Sequence, residues 1–225
     1  MKGPVTLVFS TTTTDNHMRF FLKGDVMIKP TDILQDEHRV IQRVLDCLEK
    51  MATECRGSGQ LDGRAAKAAI DFFRTFADHC HHGKEEVHLF PAMEAKGFSP
   101  DCGPTAVMRL EHEQGRAHVR AMDQAVQAAS EGDSMAQKQF VEHALAYVTL
   151  LRQHIDKEDH CLFAMANQAF SEADQERLLA VFRKAETEEI GPGIHEKYLQ
   201  LARDLAAQCG LADAPNVEAR ACCGH

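Results

Sequence analysis

Apolar residues recur along this chain at alternating steps of four and three, the stripe of a helix with one buried face. The register is cleanest where Phe140, Ala144, Tyr147, Leu151, His154, Glu158, Cys161 and Met165 follow one another. A His and a Glu therefore stand where the pattern calls for core residues. Leu34, His38, Ile41, Leu45 and Leu48 make an earlier stripe, and Ile70, Phe73, Ala77, His81 and Glu85 make another. A third contains Met108, His112, Gly115, Val119, Met122 and Val126. Every stripe carries a His on its apolar side.

The punctuation between stripes predicts the elements. Thr31 is the expected N-cap of the first helix, with Asp32 favourable in its first turn, and Gly57-Ser-Gly59 ends it. The second helix is expected from about Asp62 to Lys96, with Pro91 kinking or shortening it. Pro104 suits the first turn of the third, and Gly132-Asp133 separates it from the fourth. Ser171 and Asp174 form a capping box that opens a fifth helix, which Gly191-Pro-Gly193 breaks before a turn-rich segment ending near Gly210. Long helices on short connectors predict an all-α fold: an antiparallel, up-down-up-down four-helix bundle with an additional C-terminal helix. Residues 1–26, with a polar tract at Thr11–Thr14, are expected to be a poorly ordered arm. The bundle then spans 27–170, a helical extension 171–210, and a disordered tail 211–225.

The polar intruders repeat. His81-His-Gly-Lys-Glu85-Glu-Val-His-Leu-Phe returns as His154-Ile-Asp-Lys-Glu158-Asp-His-Cys-Leu-Phe, and Asp36-Glu37-His38 as Leu110-Glu111-His112. On a helix, residues four apart stack on one face about 6 Å apart along the axis. The repeat makes two similar hairpins, setting His38, His81 and Glu85 opposite His112, His154 and Glu158. Burying two carboxylates and four imidazoles together is costly unless a cation compensates them. Imidazole with carboxylate and without thiolate favours iron or manganese over a closed structural zinc site. Two octahedral ions offer roughly twelve positions. Four His, two bridging Glu and a shared oxo or hydroxo group fill all but about one on each ion.

Composition excludes several other roles. A net charge of −9 argues against nucleic acid and against anionic lipid. No apolar run approaches the ~18 residues of a membrane span, and the run at the N-terminus is too short for a signal peptide. Eight Cys occur without a CxxC pair, so reduced thiols in a cytoplasmic protein are expected.

The order His38, His81-xxx-Glu85, His112, His154-xxx-Glu158, with Leu-Phe after each copy, resembles the hemerythrin-like (HHE cation-binding) family over residues 31 to about 168. The resemblance implies a non-heme centre of two iron ions, oxo- or hydroxo-bridged, with both Glu bridging. It implies His38 and His81 on one iron and His112 and His154 on the other. Oxygen-carrying members use a further His at the position of Arg116, and an acid at that of Asp159; this chain looks like the four-His, two-Glu bacterial type. The function implied is binding of, or reaction with, dioxygen, nitric oxide or peroxide, in sensing, detoxification or iron handling. Iron–sulfur repair and a redox-inert, metal-stabilised adaptor are the alternatives, and whether the protein is an enzyme stays open, as does its oligomeric state.

Neighbouring residues receive plainer readings. His88 is assigned to the core or the outer shell, because its repeat counterpart is Cys161. His82 and Glu86 lie roughly 100° around the helix from the ligands and are assigned to the surface or outer shell, as are His79, His118, His143 and His160. Glu37 and Glu111 neighbour the ligands and are assigned outside the metal shell, with ligation the alternative; Tyr147 is assigned to the core, the alternative being a phenol that gates or ligates the iron. Arg116 either orients an anion or reaches out to water. His195 reads as a helix-start residue, and Cys222-Cys223 as part of a frayed terminus.

Overall fold

Four long helices and two shorter ones account for almost all of residues 28–211, the part of the chain that the computed structural model describes. The expectations for the arm 1–26 and for the tail beyond 211, Cys222-Cys223 included, lie outside the described residues. Helix α1 spans Pro30–Ser58. Helix α2 runs over residues 63–94, as Gly63–Phe72, a wide-turned stretch Phe73–His82, a second one Glu85–Leu89, and Phe90–Glu94. Helix α3 is Pro104–Ser130. Helix α4 covers residues 134–169, as Ser134–Lys157, the wide turn Glu158–Leu162 and Phe163–Ala169. Helix α5 comprises Glu172–Lys184 and the wide-turned Ala185–Ile190, and α6 is Ile194–Gln208.

The caps explain most boundaries. Asp62 accepts hydrogen bonds from the Arg64 and Ala65 backbone N–H groups at 2.9 and 3.0 Å, and Asp133 from Ala136 at 2.7 Å. Ser171 and Asp174 form the reciprocal box anticipated for α5. Two boundaries differ from expectation. Helix α1 starts at Pro30 rather than after Thr31, since a proline at the first helical position has no N–H to leave unpaired. Asp32 then reaches back to the Lys29 N–H at 2.9 Å. The segment after Gly191-Pro-Gly193 is a regular helix, α6, because Tyr198, Ala202, Leu205 and Ala206 give it an apolar stripe to bury.

The wide turns are π-helical, with i→i+5 hydrogen bonds. One begins at each repeated Glu, at Glu85 and at Glu158, so Pro91 is not the shared cause. Pro91 instead sits within Phe90–Glu94, and α2 passes through it.

In the bundle, α1 packs against α2 and α4, and α3 packs against the same two. The interior is divided in two. One apolar cluster runs from Ile41 to Cys55 on α1 and includes Phe72, Phe76, Phe140 and, from α6, Tyr198 and Leu205. The other joins Leu34, Leu89, Phe90, Met93, Leu162 and Phe163 to Leu178, Leu179 and Phe182 of α5. Helix α5 therefore caps one end and α6 lies against the body of the other. The layer between the clusters is polar. Among the described residues, no helix is long and apolar enough to cross a membrane.

Candidate metal centre

Four helices converge on that polar layer. His38 comes from α1, His81 and Glu85 from α2, His112 from α3, and His154 and Glu158 from α4; each is at most 2% exposed. Each carboxylate faces both hairpins. Glu85 Oε1 lies 3.7 Å from His81 Nε2, and its Oε2 3.5 Å from His112 Nε2. Glu158 Oε2 lies 3.2 Å from His38 Nε2, and its Oε1 3.3 Å from His154 Nε2. His112 and His154 bring their Nε2 atoms to 3.0 Å. The ligand-type atoms fall into two adjoining groups, each within 4.8 Å: His38, His81, Glu85 and Glu158, and then His82, Glu85, His112 and His154. Glu85 belongs to both.

Buried polar atoms normally find partners, because leaving one bare costs about 1–3 kcal/mol. Here His38 Nε2, His81 Nε2 and all four oxygens of Glu85 and Glu158 are buried without a hydrogen bond, the short approaches above notwithstanding. Hard oxygen and imidazole donors aimed at common points fit divalent or trivalent first-row metal ions. The residues present suit such a group.

On the outer side, every one of the four imidazoles is held by a carboxylate. His81 Nδ1 meets Glu37 at 2.9 Å and His154 Nδ1 meets Glu111 at 2.9 Å. His38 Nδ1 meets Asp159 at 2.8 Å and His112 Nδ1 meets Glu86 at 2.6 Å. An Nδ1–H donated outward turns Nε2, with its lone pair, toward the centre. The pattern has twofold symmetry: the acid preceding His38 serves His81, the acid preceding His112 serves His154, and the acids following Glu85 and Glu158 serve His112 and His38. Lys84 then binds Glu37, and Lys157 binds Glu111.

The fields inside the layer are correspondingly uneven. Burial, with Glu158 beside it, pushes Glu85 well above the usual carboxylate range. Burial would raise Glu158 too, but His154 and His38 hold it well below. Burial and the neighbouring His38 bring His81 down to about 3, despite Glu37. For His154, Glu158 and Glu111 overcome burial and lift it to about 9. Buried His112, beside His82 and His154, is lowered well below its usual value.

Residues 29–166 match the family described as the hemerythrin HHE cation binding domain. The chain belongs to that family. It is 23% identical over 184 residues to the uncharacterized protein Rv1995 of Mycobacterium tuberculosis strain H37Rv, covering 82% of this chain and 71% of that protein. The same figures relate it to the uncharacterized protein Mb2018 of Mycobacterium bovis. No solved structure matches it.

The remaining polar and aromatic residues of this hemerythrin-like chain can now be placed. Of the two places open to His82, the surface and the surroundings of the ligands, it takes the interior one, 4% exposed, because the wide turn Phe73–His82 carries it inward beside His81. Glu86 holds His112 and is partly buried. His88 lies against Phe182 of α5, with ring centroids 6.2 Å apart, and belongs to neither ligand group. Tyr147 is core: it packs on Phe73, and its ring would lie 3.3 Å from a Cβ placed on Gly115. Arg116 binds Asp78, Glu86 and Glu113. His118 and His143 pair with each other, Nδ1 to Nδ1 at 3.1 Å. His195 does start α6, and its Nδ1 also lies 3.8 Å from Glu37 and 4.0 Å from Glu186. Sequence reasoning missed Lys84, which is buried and bridges Glu37 to Glu186 of α5, 2.8 Å from the latter. The signal was present in both copies, where a Lys precedes the repeated Glu.

Proposed function

We propose that this chain carries a non-heme di-iron centre that takes up a small molecule, dioxygen, nitric oxide or peroxide, in sensing, detoxification or iron handling. The ligands in this reading are His38, His81, Glu85, His112, His154 and Glu158. The observation that carries it is the set of buried, unpartnered imidazole nitrogens and carboxylate oxygens aimed at one another. His38 and His81 would hold one ion and His112 and His154 the other, with Glu85 and Glu158 shared between them, since each already faces imidazoles of both hairpins. Iron bound there supplies reversible electron transfer and exchangeable positions for a small ligand.

The protein's own part is selection and support. Phe163 stacks on His38 with centroids 5.5 Å apart, and Phe90 on His112 at 5.9 Å. Aromatic walls and deep burial disfavour bulky substrates at the centre. Glu37, Glu86, Glu111 and Asp159 orient the imidazoles and raise their basicity toward the ions. The free, mostly buried thiols among the described residues suit a reducing cytoplasm.

Elemental analysis of natively purified protein, combined with its visible spectrum, tests the proposal. The expected result is two iron ions per chain, the charge-transfer bands of oxo-bridged ferric iron, and a spectral response to dioxygen, peroxide or nitric oxide. Zinc in place of iron, with no response, would make the protein a metal-stabilised adaptor. Transfer of its iron to a cluster-free iron–sulfur protein would point to repair.

A further inference from the structure

The six central side chains of the two halves match in position, but the residue beside one of them does not. In α2 the residue after the inward His81 is His82, whereas in α4 the residue after His154 is the apolar, buried Ile155. His82 is not a stray surface imidazole. The wide turn Phe73–His82 brings both His81 and His82 into the interior. Its ring lies flat on that of His112, with centroids 3.8 Å apart and planes 14° apart, and 5.9 Å from that of His154. A nitrogen of His82 lies within 4.8 Å of the ligand-type atoms of Glu85, His112 and His154, all in one group.

His82 also has a carboxylate on its outer side, at longer range than the four other imidazoles. Its Nδ1 faces Asp78 Oδ1 at 3.4 Å, and Arg116 Nε donates to the same oxygen at 2.8 Å. A carboxylate on Nδ1 leaves Nε2 as the donor atom toward the centre. This support is one-sided. The residues matching Asp78 and Arg116 in the other hairpin are Leu151 and Gln42, so no equivalent triad exists there.

Resting on the di-iron reading above, we propose that His82 is a fifth imidazole ligand, bound to the ion that His112 and His154 hold. That ion then has three nitrogen donors and the ion held by His38 and His81 has two, which makes the positions unequal. Asp78 is the positioning residue for His82, and Arg116 fixes Asp78.

Two substitutions separate ligation from packing. His82→Phe keeps a flat ring against His112 but removes the nitrogen, and His82→Ala removes both. Iron per chain is read by elemental analysis during competition with a graded chelator, and the imidazole count is read by X-ray absorption on loaded protein. Wild type is expected to hold two ions with five imidazoles per pair. Both variants should lose one ion at chelator concentrations more than about 100-fold lower, beyond the ~10–100-fold expected of an outer partner. Asp78→Asn should weaken the same ion by about tenfold. If His82→Phe loads like wild type, His82 only packs and the assignment falls while the di-iron reading stands. If wild type takes up no metal pair, both fall. Should either His82 variant fail to fold, the absorption count on wild type still decides, because four imidazoles per pair overturns the assignment.

Discussion

Glu37 and Glu111 occupy matching places in the two hairpins, yet removing them should have unequal consequences. Lys84, the partner of Glu37, has a fully buried side chain, whereas the Lys157 side chain beside Glu111 is 42% exposed. Glu37→Ala leaves a buried ammonium with Glu186 alone, and breaking a buried pair costs on the order of 3 kcal/mol or more. Glu111→Ala returns Lys157 to water at a cost below about 1 kcal/mol. Denaturant unfolding of metal-free protein should show that difference. Chelator competition should show a similar loss of metal affinity in both variants, roughly 10–100-fold, because each frees one ligand imidazole from its carboxylate. The asymmetry was partly legible: the Lys-Glu pair appears in both copies, but only the chain's later helices bury one of them.

At the scale of elements, capping and packing set the sensitivities. Asp62 satisfies two orphan N–H groups at the start of α2, so Asp62→Ala should lower stability by about 1 kcal/mol in denaturant unfolding. Phe182 of α5 is fully buried in the cluster above the centre, and Phe182→Ala should cost about 3–5 kcal/mol. The helices were readable because a period near 3.6 and strong start and stop residues agree. The wide turns were not. An i→i+5 turn leaves the hydrophobic pattern almost unchanged over so short a stretch, yet it rotates the helix on its N-terminal side relative to the helix on its C-terminal side. That rotation decided between the surface and the outer shell for His82, in favour of the interior.

For the whole molecule, metal and protons compete for the same atoms. Glu158 and Glu111 lift the His154 pKa to about 9, so near pH 7 it carries a proton that an ion bound there, as proposed, must displace. Metal uptake at pH 7 should therefore release at least one proton, measurable by calorimetry in buffers of different ionisation enthalpy. Affinity should rise with pH up to about 9 and fall on acidification. An unchanged affinity between pH 6 and 8 would contradict this. Because the centre is the layer between two apolar cores, loaded protein should also melt well above chelator-stripped protein.

The four-helix architecture and the six central side chains could be read from one dimension, because each depends on local order: helical period, capping residues, and a motif that occurs twice. The carboxylates that hold each imidazole, the buried Lys84 bridge to α5 and the inward turn of His82 depend on which helix lies next to which. Such contacts arise between residues far apart in the chain, and they are set by packing and by the need to satisfy every buried charge, which no periodicity along a single helix records.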